Sequence, residues 1–244
     1  MTEGKSFFID TTKCTACRGC QMACKQWNKR ATEKTINRGN HQNPPDLSYN
    51  TWKLVRFSEI PGEKVAWYFF PDQCRHCISP PCKEVADGKA KGAIMQDEKT
   101  GAVVFNPKMK IKPDDFKEIR EACPYDIPRI HPAISIMGKC TMCFDRTKEG
   151  MLPACVKTCP TGAMSFGERK DILEKANKRL EEVKGTYKEA MLANPDDVRV
   201  IYLLVDDPKK YHKTAVAENT IGITRKMALK RLFQPLNSLN RLIG

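Results

Sequence analysis

The chain has 244 residues, of which 41% are hydrophobic, and its 42 Lys and Arg against 29 Asp and Glu give a formal net charge of +13. The longest apolar run, residues 200–205, is far shorter than the ~20 residues that cross a bilayer, so we predict a buried strand there and no transmembrane segment. The positive charge is suited to an acidic partner. A nucleic-acid role is disfavoured because no basic helix with base-reading spacing is present.

The predicted elements follow from hydrophobic periodicity and turn residues. In chain order they are a strand at 5–9, a short helix at 21–27, a loop at 31–50, a hairpin from 52–57 and 65–70, a second hairpin from 93–95 and 102–105, and a helix at 113–121. An amphipathic helix is predicted between 167 and 191, weakened by Gly185, and then a strand at 198–205. From about residue 221 we expect a basic amphipathic tail that packs on the core or on a partner subunit, with a membrane surface as the alternative.

All 12 cysteines fall into short groups. The first group has the C-x2-C-x2-C-x3-C spacing of ferredoxins, in which three cysteines hold one [4Fe–4S] cluster and the fourth reaches another cluster. The last group ends in a Cys-Pro step, and two further groups lie between them. The groups are Cys14, Cys17, Cys20 and Cys24; Cys74, Cys77 and Cys82; Cys123; and Cys140, Cys143, Cys155 and Cys159. Because 12 thiols divide into sets of four, we predict three [4Fe–4S] clusters.

The exchange of fourth ligands predicts which cysteines share a cluster. If the first and last groups exchange ligands, the sets are Cys14, Cys17, Cys20 and Cys159 for cluster 1; Cys24, Cys140, Cys143 and Cys155 for cluster 2; and Cys74, Cys77, Cys82 and Cys123 for cluster 3. The middle of the chain then corresponds to a second pair of sites with one site lost. The positions of its missing ligands hold Ala86, Pro113, Phe116 and Ile119.

Zinc and disulfides explain the cysteines less well. A zinc site with four cysteine ligands has no use for the triple at positions 14, 17 and 20. Disulfide frameworks are typical of small secreted proteins, whereas no apolar stretch long enough for a signal sequence precedes Cys14. Each oxidised cluster carries about −2, which brings the total charge to roughly +7. We expect metal binding and folding to be coupled.

Several stretches together resemble a known family. They are FIDTTKCTACRGCQMACKQWN (8–28), CRHCISPPC (74–82), ACPYDIPR (122–129), KCTMCFDR (139–146) and PACVKTCP (153–160). Across residues 5 to 167 the chain resembles the iron–sulfur (β) subunit of molybdopterin oxidoreductases, in particular the small subunit of soluble tungsten- or molybdenum-dependent formate dehydrogenases. Members usually carry four clusters, and membrane-bound members end in an anchor helix. The chain departs from the family pattern on both points.

The resemblance implies an α+β fold with two ferredoxin-like cluster-binding lobes related by pseudo-twofold symmetry, followed by a C-terminal helix–strand–tail extension. One lobe comprises 1–30 with 132–167 and holds two [4Fe–4S] clusters. The inserted lobe, 31–131, holds one cluster. The extension, 168–244, is expected to pack on the core or on a partner subunit.

The resemblance also implies the function. The chain is expected to be an electron-transfer subunit without catalytic residues of its own, working as a heterodimer. Its partners are a large catalytic subunit with a Mo- or W-bis-pterin cofactor and its own [4Fe–4S] cluster, and an external carrier, a c-type cytochrome or a ferredoxin. A periplasmic location, reached with a signal-bearing partner, is expected, and a cytoplasmic one is the alternative. Alternative functions are the same relay beside another molybdopterin reductase (of polysulfide, DMSO, nitrate, nitrite or arsenate type) or a free-standing polyferredoxin.

Other residues near the motifs are predicted to have structural roles. His76 is expected to pack beside a cluster rather than bind iron. Trp27, Trp52 and Trp67 are expected in the core. Arg129 and Arg146 are expected to compensate charge or to hydrogen-bond the backbone.

Overall fold

The computed structural model describes residues 3–217. Its strands and helices are β1 Lys5–Asp10, α1 Gly19–Trp27, β2 Leu54–Ile60, β3 Ala66–Asp72, α2 Pro81–Lys89, β4 Ile94–Gln96, β5 Val103–Phe105, α3 Pro113–Glu121, β6 Arg129–Ile130, β7 Met137–Gly138, α4 Phe144–Thr147, α5 Ala154–Lys157, β8 Met164–Glu168, α6 Arg169–Lys184, β9 Met191–Leu192, β10 Val200–Leu204 and α7 Pro208–Tyr211. The tail predicted from about residue 221 lies outside the described residues. Within them, no helix is both long and apolar enough to cross a membrane.

A four-stranded sheet of order β8-β1-β10-β9 forms one core of the molecule. β1 pairs in parallel with β10, so that Phe8 lies opposite Ile201, and β8 runs antiparallel along the other edge of β1. β10 is buried at every residue, as expected for a strand covered on both faces. Helix α6 covers one face, where Ile172 and Ala176 pack in one apolar cluster with Phe8 and Ile201. Each large apolar side chain buried there contributes about 1.5–3 kcal/mol.

Two-stranded hairpins bring the chain from one cysteine group to the next. β2 and β3 pair antiparallel from Leu54 opposite Asp72 to Ile60 opposite Ala66. β3 ends two residues before Cys74, so this hairpin sets where the second cysteine group begins. β4 with β5 and β6 with β7 form two shorter hairpins. The predicted hairpins at 52–70 and 93–105 are confirmed.

The helices beside the cysteine groups pack in two pairs. α1 contacts α5, and α2 contacts α3. α2 and α3 each begin with proline in their first turn, where the missing N–H costs nothing and the fixed φ fits a helix. α1 and α2 each begin beside one group of cysteines, and each packs on a helix that carries or precedes a cysteine of a different group. The predicted helix at 113–121 has the observed bounds of α3.

Two expectations from the sequence are wrong. The amphipathic helix predicted to reach residue 191 ends at Lys184, with Gly185 as its C-cap, because a glycine in a helix interior costs conformational entropy. Of the three tryptophans expected in the core, Trp52 is 6% exposed, but Trp27 and Trp67 are 42% and 44% exposed. The ring of Trp27 lies 4.1 Å from the Arg146 guanidinium, and its N–H donates to Asp145 at 2.8 Å. A cation–π contact and one hydrogen bond thus fix that indole at the surface.

Candidate metal centres

Four cysteines from the two ends of the motif region line one cavity, here called cavity 1. They are Cys14, Cys17, Cys20 and Cys159. Positive φ angles at Ala16 and Arg18 turn the loop back on itself before α1 begins at Gly19, a conformation that costs energy in residues with a Cβ. Cys159 joins them from just beyond the C-terminal end of α5. The structure therefore brings together the four residues predicted to share cluster 1.

A second group of four lines a separate cavity, here called cavity 2. They are Cys24, Cys140, Cys143 and Cys155. Cys24 comes from α1 and Cys155 from α5, so the contact between these helices brings the two thiols to one place. Met142 and Cys143 have positive φ, and the Met142 N–H points to the Cys140 sulfur at 3.4 Å. The residues predicted to share cluster 2 thus surround one space.

The remaining cysteines form a third group, here called group 3. Its members are Cys74, Cys77, Cys82 and Cys123. Burial raises the pKa of Cys77 well above its usual value, and the nearby thiols of Cys123, Cys74 and Cys82 raise it further. Burial also raises the pKa of Cys123 to about 11. Cys74 and Cys77 belong to one packed cluster of buried residues, and Cys123 packs against it. Cys82 lies near enough for the thiols of Cys123 and Cys74 to raise its pKa, so these four lie together.

The three sets of thiols form a row. Cys20 of cavity 1 and Cys155 of cavity 2 are close enough for one thiol to raise the pKa of the other. Cys140 of cavity 2 stands in the same relation to Cys74 of group 3. Cavity 2 therefore lies between the other two. Cavity 1 is at the surface, since Cys17 is exposed and Cys14 and Cys159 are partly so.

The pKa values of the thiols differ even within one cavity. Burial raises the pKa of Cys20 to about 12 and that of Cys143 to about 11, so these sites disfavour a free thiolate. Burial also acts to raise the pKa of Cys159, but hydrogen bonds from the Thr161 hydroxyl and nearby backbone N–H groups outweigh it and lower the pKa. Iron binding requires thiolates, so bound metal has to supply the stabilisation that water cannot.

Two buried lysines flank the thiols, and their hydrogen bonds go to neutral groups. Lys53 and Lys139 are each 1% exposed. Lys53 donates to the Pro71 carbonyl and the Gln73 side-chain oxygen, and Lys139 donates to the carbonyls of Val103 and Cys140. An ammonium out of water with neutral partners only costs several kcal/mol. These two lysines fit sites that hold anionic clusters.

Buried donors without a partner give a second test of fit. The buried Nε2 atoms of Gln73 and His76 have no hydrogen-bond partner in the described part of the chain. His76 Nδ1 accepts from the Val103 N–H at 3.0 Å, so the proton of the neutral ring sits on Nε2. Buried polar groups are rarely left unpaired, whereas cluster sulfides are acceptors. The thiols, the cations and these donors together fit [4Fe–4S] clusters.

A single metal ion fits less well. Between residues 3 and 217, no three His, Cys, Asp or Glu side chains lie close enough together to hold one ion. The four thiols of each cavity instead stand around its wall. That separation is what a cluster of four iron atoms needs, because each thiolate binds a different iron.

The place expected for a fourth cluster is filled. Ala86 and Ile119 are 0% exposed and Phe116 is 7% exposed, and all three belong to one apolar cluster with Ile94 and Val103. α2 carries Ala86 and α3 carries the other two, so their side chains form the interface between these helices. Pro113, the fourth of these positions, lies in the first turn of α3.

The arginines have the structural roles predicted for them. Arg129 donates to the Leu47 carbonyl at 3.0 Å and pairs with Asp46 at 2.8 Å. Arg146 donates to the Leu152 carbonyl at 2.7 Å.

His76 is buried, and its backbone N–H points to the Cys74 sulfur of group 3 at 3.4 Å; its expected packing role stays a prediction. Lys53, Lys139 and Gln73 were not predicted from the sequence to line the sites. Two signals were available for the lysines: Lys53 lies inside the β-prone run 52–57, and Lys139 lies directly before Cys140.

Comparison with known proteins agrees with this chemistry. The profile of the 4Fe-4S dicluster domain family matches residues 65–169, a stretch that holds all of group 3 together with Cys140, Cys143, Cys155 and Cys159. The chain is therefore an iron–sulfur protein of the [4Fe–4S] class.

Relatives along nearly the whole chain define the family more closely. The chain is 53% identical to the formate dehydrogenase subunit beta of Megalodesulfovibrio gigas, over 87% of this chain and 99% of that one. It is 54% identical to formate dehydrogenase 2 subunit beta (cytochrome c-553) of Nitratidesulfovibrio vulgaris, over 86% of this chain and 98% of that one. It is 39% identical to the formate dehydrogenase-O iron-sulfur subunit of Escherichia coli, over 84% of this chain and 68% of that one. The chain belongs to the iron–sulfur (β) subunits of formate dehydrogenases.

Proposed function

We propose that this chain carries electrons through three [4Fe–4S] clusters between the catalytic subunit of a formate dehydrogenase and an external carrier. The observation that carries the proposal is the row formed by cavity 1, cavity 2 and group 3, in which Cys20 and Cys155 belong to one packed cluster and Cys140 and Cys74 to another. Bound clusters would supply one-electron acceptors. The protein needs only to hold them close together, and no acid–base residue is required of it.

The proposed ligands are those predicted from the spacing. The sets are Cys14, Cys17, Cys20 and Cys159 for cluster 1; Cys24, Cys140, Cys143 and Cys155 for cluster 2; and Cys74, Cys77, Cys82 and Cys123 for cluster 3. The shared lining of the two cavities supports the first two sets. The mutual effect of its thiols on the pKa of Cys77 supports the third.

The count of three is supported by the apolar filling of the fourth place. An anionic cluster between Ala86, Phe116 and Ile119 would replace close-packed side chains in a cluster of apolar residues. Close packing leaves little free volume in such a core. Removing one complete ligand set also leaves no thiol unused, which fits the 12 cysteines of the chain.

Two lobes related by a pseudo-twofold axis are part of the proposal. In the two-cluster lobe, α1 carries Cys20 and Cys24, the third and fourth ligand positions of its motif, and packs on α5. In the one-cluster lobe, α2 carries Cys82 and Ala86, the corresponding positions, and packs on α3. The contacts of α1 with α5 and of α2 with α3 support this. We propose 1–30 with 132–167 as the two-cluster lobe and 31–131 as the one-cluster lobe. The C-terminal region, 168–244, adds β9 and β10 to the sheet of the first lobe.

The proposed partners follow from the relatives. Formate dehydrogenase β subunits imply a catalytic α subunit, which we propose carries a Mo- or W-bis-pterin centre with its own [4Fe–4S] cluster. The name of the Nitratidesulfovibrio vulgaris relative includes cytochrome c-553, which favours a c-type cytochrome over a ferredoxin as the carrier. We further propose a heterodimer in the periplasm, which cell fractionation would test.

Metal analysis of the co-purified complex tests the function. Three clusters require about twelve iron atoms and about twelve sulfides in this chain, with no stoichiometric zinc. Formate should reduce the clusters when the catalytic subunit is present and should leave them oxidised when it is removed. Purification of a stable single chain whose iron stays oxidised in the presence of formate and the catalytic subunit would contradict the proposal.

A further inference from the structure

Two buried polar side chains lie together on the wall of cavity 2. Lys53 and Gln73 both line it and are 1% and 0% exposed. Lys53 comes directly before β2 and Gln73 directly after β3, where Leu54 pairs with Asp72. The register of the hairpin therefore places the two side chains beside each other. Neither position bears a thiol.

The contact between them fixes how the amide of Gln73 is turned. An ammonium group only donates hydrogen bonds, so Gln73 presents its oxygen, Oε1, to Lys53. The amide nitrogen, Nε2, then faces away from the lysine. Within residues 3–217 it is buried and has no partner. An unpaired buried donor costs about 1–3 kcal/mol, so this amide nitrogen calls for an acceptor.

Lys53 also requires a compensating neighbour, because its buried ammonium group is stabilised by a nearby negative charge. Its hydrogen-bond acceptors, on Pro71 and Gln73, are both neutral. The groups whose negative charge acts on it include the thiols of Cys155, Cys20 and Cys140. Two of these line cavity 2 and one lines cavity 1. Lys53 thus lies between the two cavities.

We propose that Lys53 and Gln73 are a positioning pair for the cluster of cavity 2, in which Gln73 donates a hydrogen bond from Nε2 to cluster sulfur and Lys53 holds the amide in that orientation. The inference rests on the proposed function, because it requires a [4Fe–4S] cluster in cavity 2. Hydrogen bonds to sulfur and nearby positive charge favour the more negative, reduced state and so raise the reduction potential. The pair therefore makes cluster 2 easier to reduce.

Redox titration followed by electron paramagnetic resonance tests the pair in the intact complex. The signal of cluster 2 is identified as the one lost in Cys143→Ala. Gln73→Leu removes the donor and keeps similar bulk. We expect it to weaken the electron affinity of cluster 2 about tenfold, which is a midpoint about 59 mV lower for one electron. Lys53→Met removes both the charge and the hold on the amide, so its shift should be larger.

A surface lysine gives the matched control. Lys89→Met removes an equal charge from an exposed ion pair with Glu118 and should leave all midpoints unchanged. The double variant Lys53→Met with Gln73→Leu should shift less than the sum of the single variants, since the two residues act together. Strictly additive shifts would overturn the claim that Lys53 orients the amide. An unchanged midpoint in Gln73→Leu would overturn the hydrogen bond.

A measurement on the unaltered protein avoids any variant that fails to fold. The complex is prepared with glutamine labelled with 15N in its side chain and is reduced. We expect electron spin echo modulation from a 15N nucleus coupled to cluster 2, which is absent when the same complex carries unlabelled glutamine. A labelled wild-type complex with cluster 2 reduced and no such coupling refutes the inference. If iron analysis shows no cluster in cavity 2, the proposed function fails as well. A full set of clusters without the coupling counts against the pair alone.

Discussion

Because side chains of α2 and α3 fill the fourth site, weakening the packing between these helices should cause cluster 3 to be lost first. Ile119 is 0% exposed and packs with Phe116 and Ala86 between α3 and α2. Ile119→Ala removes buried carbon atoms and leaves a cavity, which costs about 2–5 kcal/mol. α3 ends two residues before Cys123, and α2 carries Cys82. The loss therefore falls on the two helices that carry or adjoin the proposed ligands of cluster 3.

The size of the effect follows from local opening. If an iron chelator reaches cluster 3 only when α3 separates from α2, a cost of about 3 kcal/mol increases the opening equilibrium about a hundredfold. The chelator should then remove about one third of the iron in a phase about a hundredfold faster than in the wild type. The remaining iron should leave at the wild-type rate. Absorbance of the iron–chelator complex follows both phases.

Ile172→Ala is the matched control. Ile172 is 5% exposed and packs between α6 and the central sheet, in an apolar cluster without any of the cysteines. The same substitution there should lower the melting temperature comparably but should produce no fast phase. Two results would refute the assignment of α2 and α3 to one cluster. One is release of all the iron from Ile119→Ala in a single faster phase. The other is fast release of one third of the iron from Ile172→Ala.

Three further predictions follow from buried charge and metal. Lys139→Met removes a cation that lies beside Cys82, so redox titration should show a lower midpoint for cluster 3 and an unchanged one for cluster 1. Burial, with help from Arg56, lowers the pKa of His212 to about 4. The unfolded chain, with a His pKa of about 6.5, takes up this proton first. Stability therefore falls as the pH drops from about 6.5 towards about 4, by at most about 3 kcal/mol, and His212→Gln should flatten thermal melting between about pH 7 and about pH 5. Exhaustive removal of iron should abolish cooperative melting, seen by circular dichroism, because the clusters cross-link the chain.

Local patterns predicted the parts of the fold that depend on neighbouring residues. The hairpin from β2 and β3 follows from two β-prone runs around a Pro-Gly turn, and α3 follows from a proline start and an apolar face. The triple Cys14, Cys17 and Cys20 followed from the spacing within one motif. In these cases the sequence separation that decides the structure is short. The fourth cysteines of cavities 1 and 2, Cys159 and Cys24, lie far along the chain from the thiols they join, and they were predicted from the exchange of ligands in ferredoxins rather than from a local pattern.

Contacts between distant residues could not be predicted in this way. β1 pairs in parallel with β10, so that Phe7 meets Val200, and nothing in either strand specifies its neighbour. The exposed position of Trp27 depends on contacts with residues 145 and 146, which lie far away in the sequence. The role of Lys53 is of the same kind, since a lysine among β-prone residues is normally expected to face solvent. Its burial becomes intelligible only when the thiols of cavity 2 are placed beside it.

The three cysteine-lined sites differ from the filled fourth site in compensating charge as well as in sulfur ligands. Lys53 acts on thiols of cavities 1 and 2, and Lys139 acts on Cys82 of group 3. Ala86, Phe116 and Ile119 instead lie in a cluster of apolar side chains. A buried anion is tolerated only where opposite charge or donors compensate it. Four cysteines returned to positions 86, 113, 116 and 119 would therefore supply ligands but not the compensation that a cluster of charge about −2 requires. A cluster at this place would therefore have to replace an apolar helix interface as well as gain four thiols.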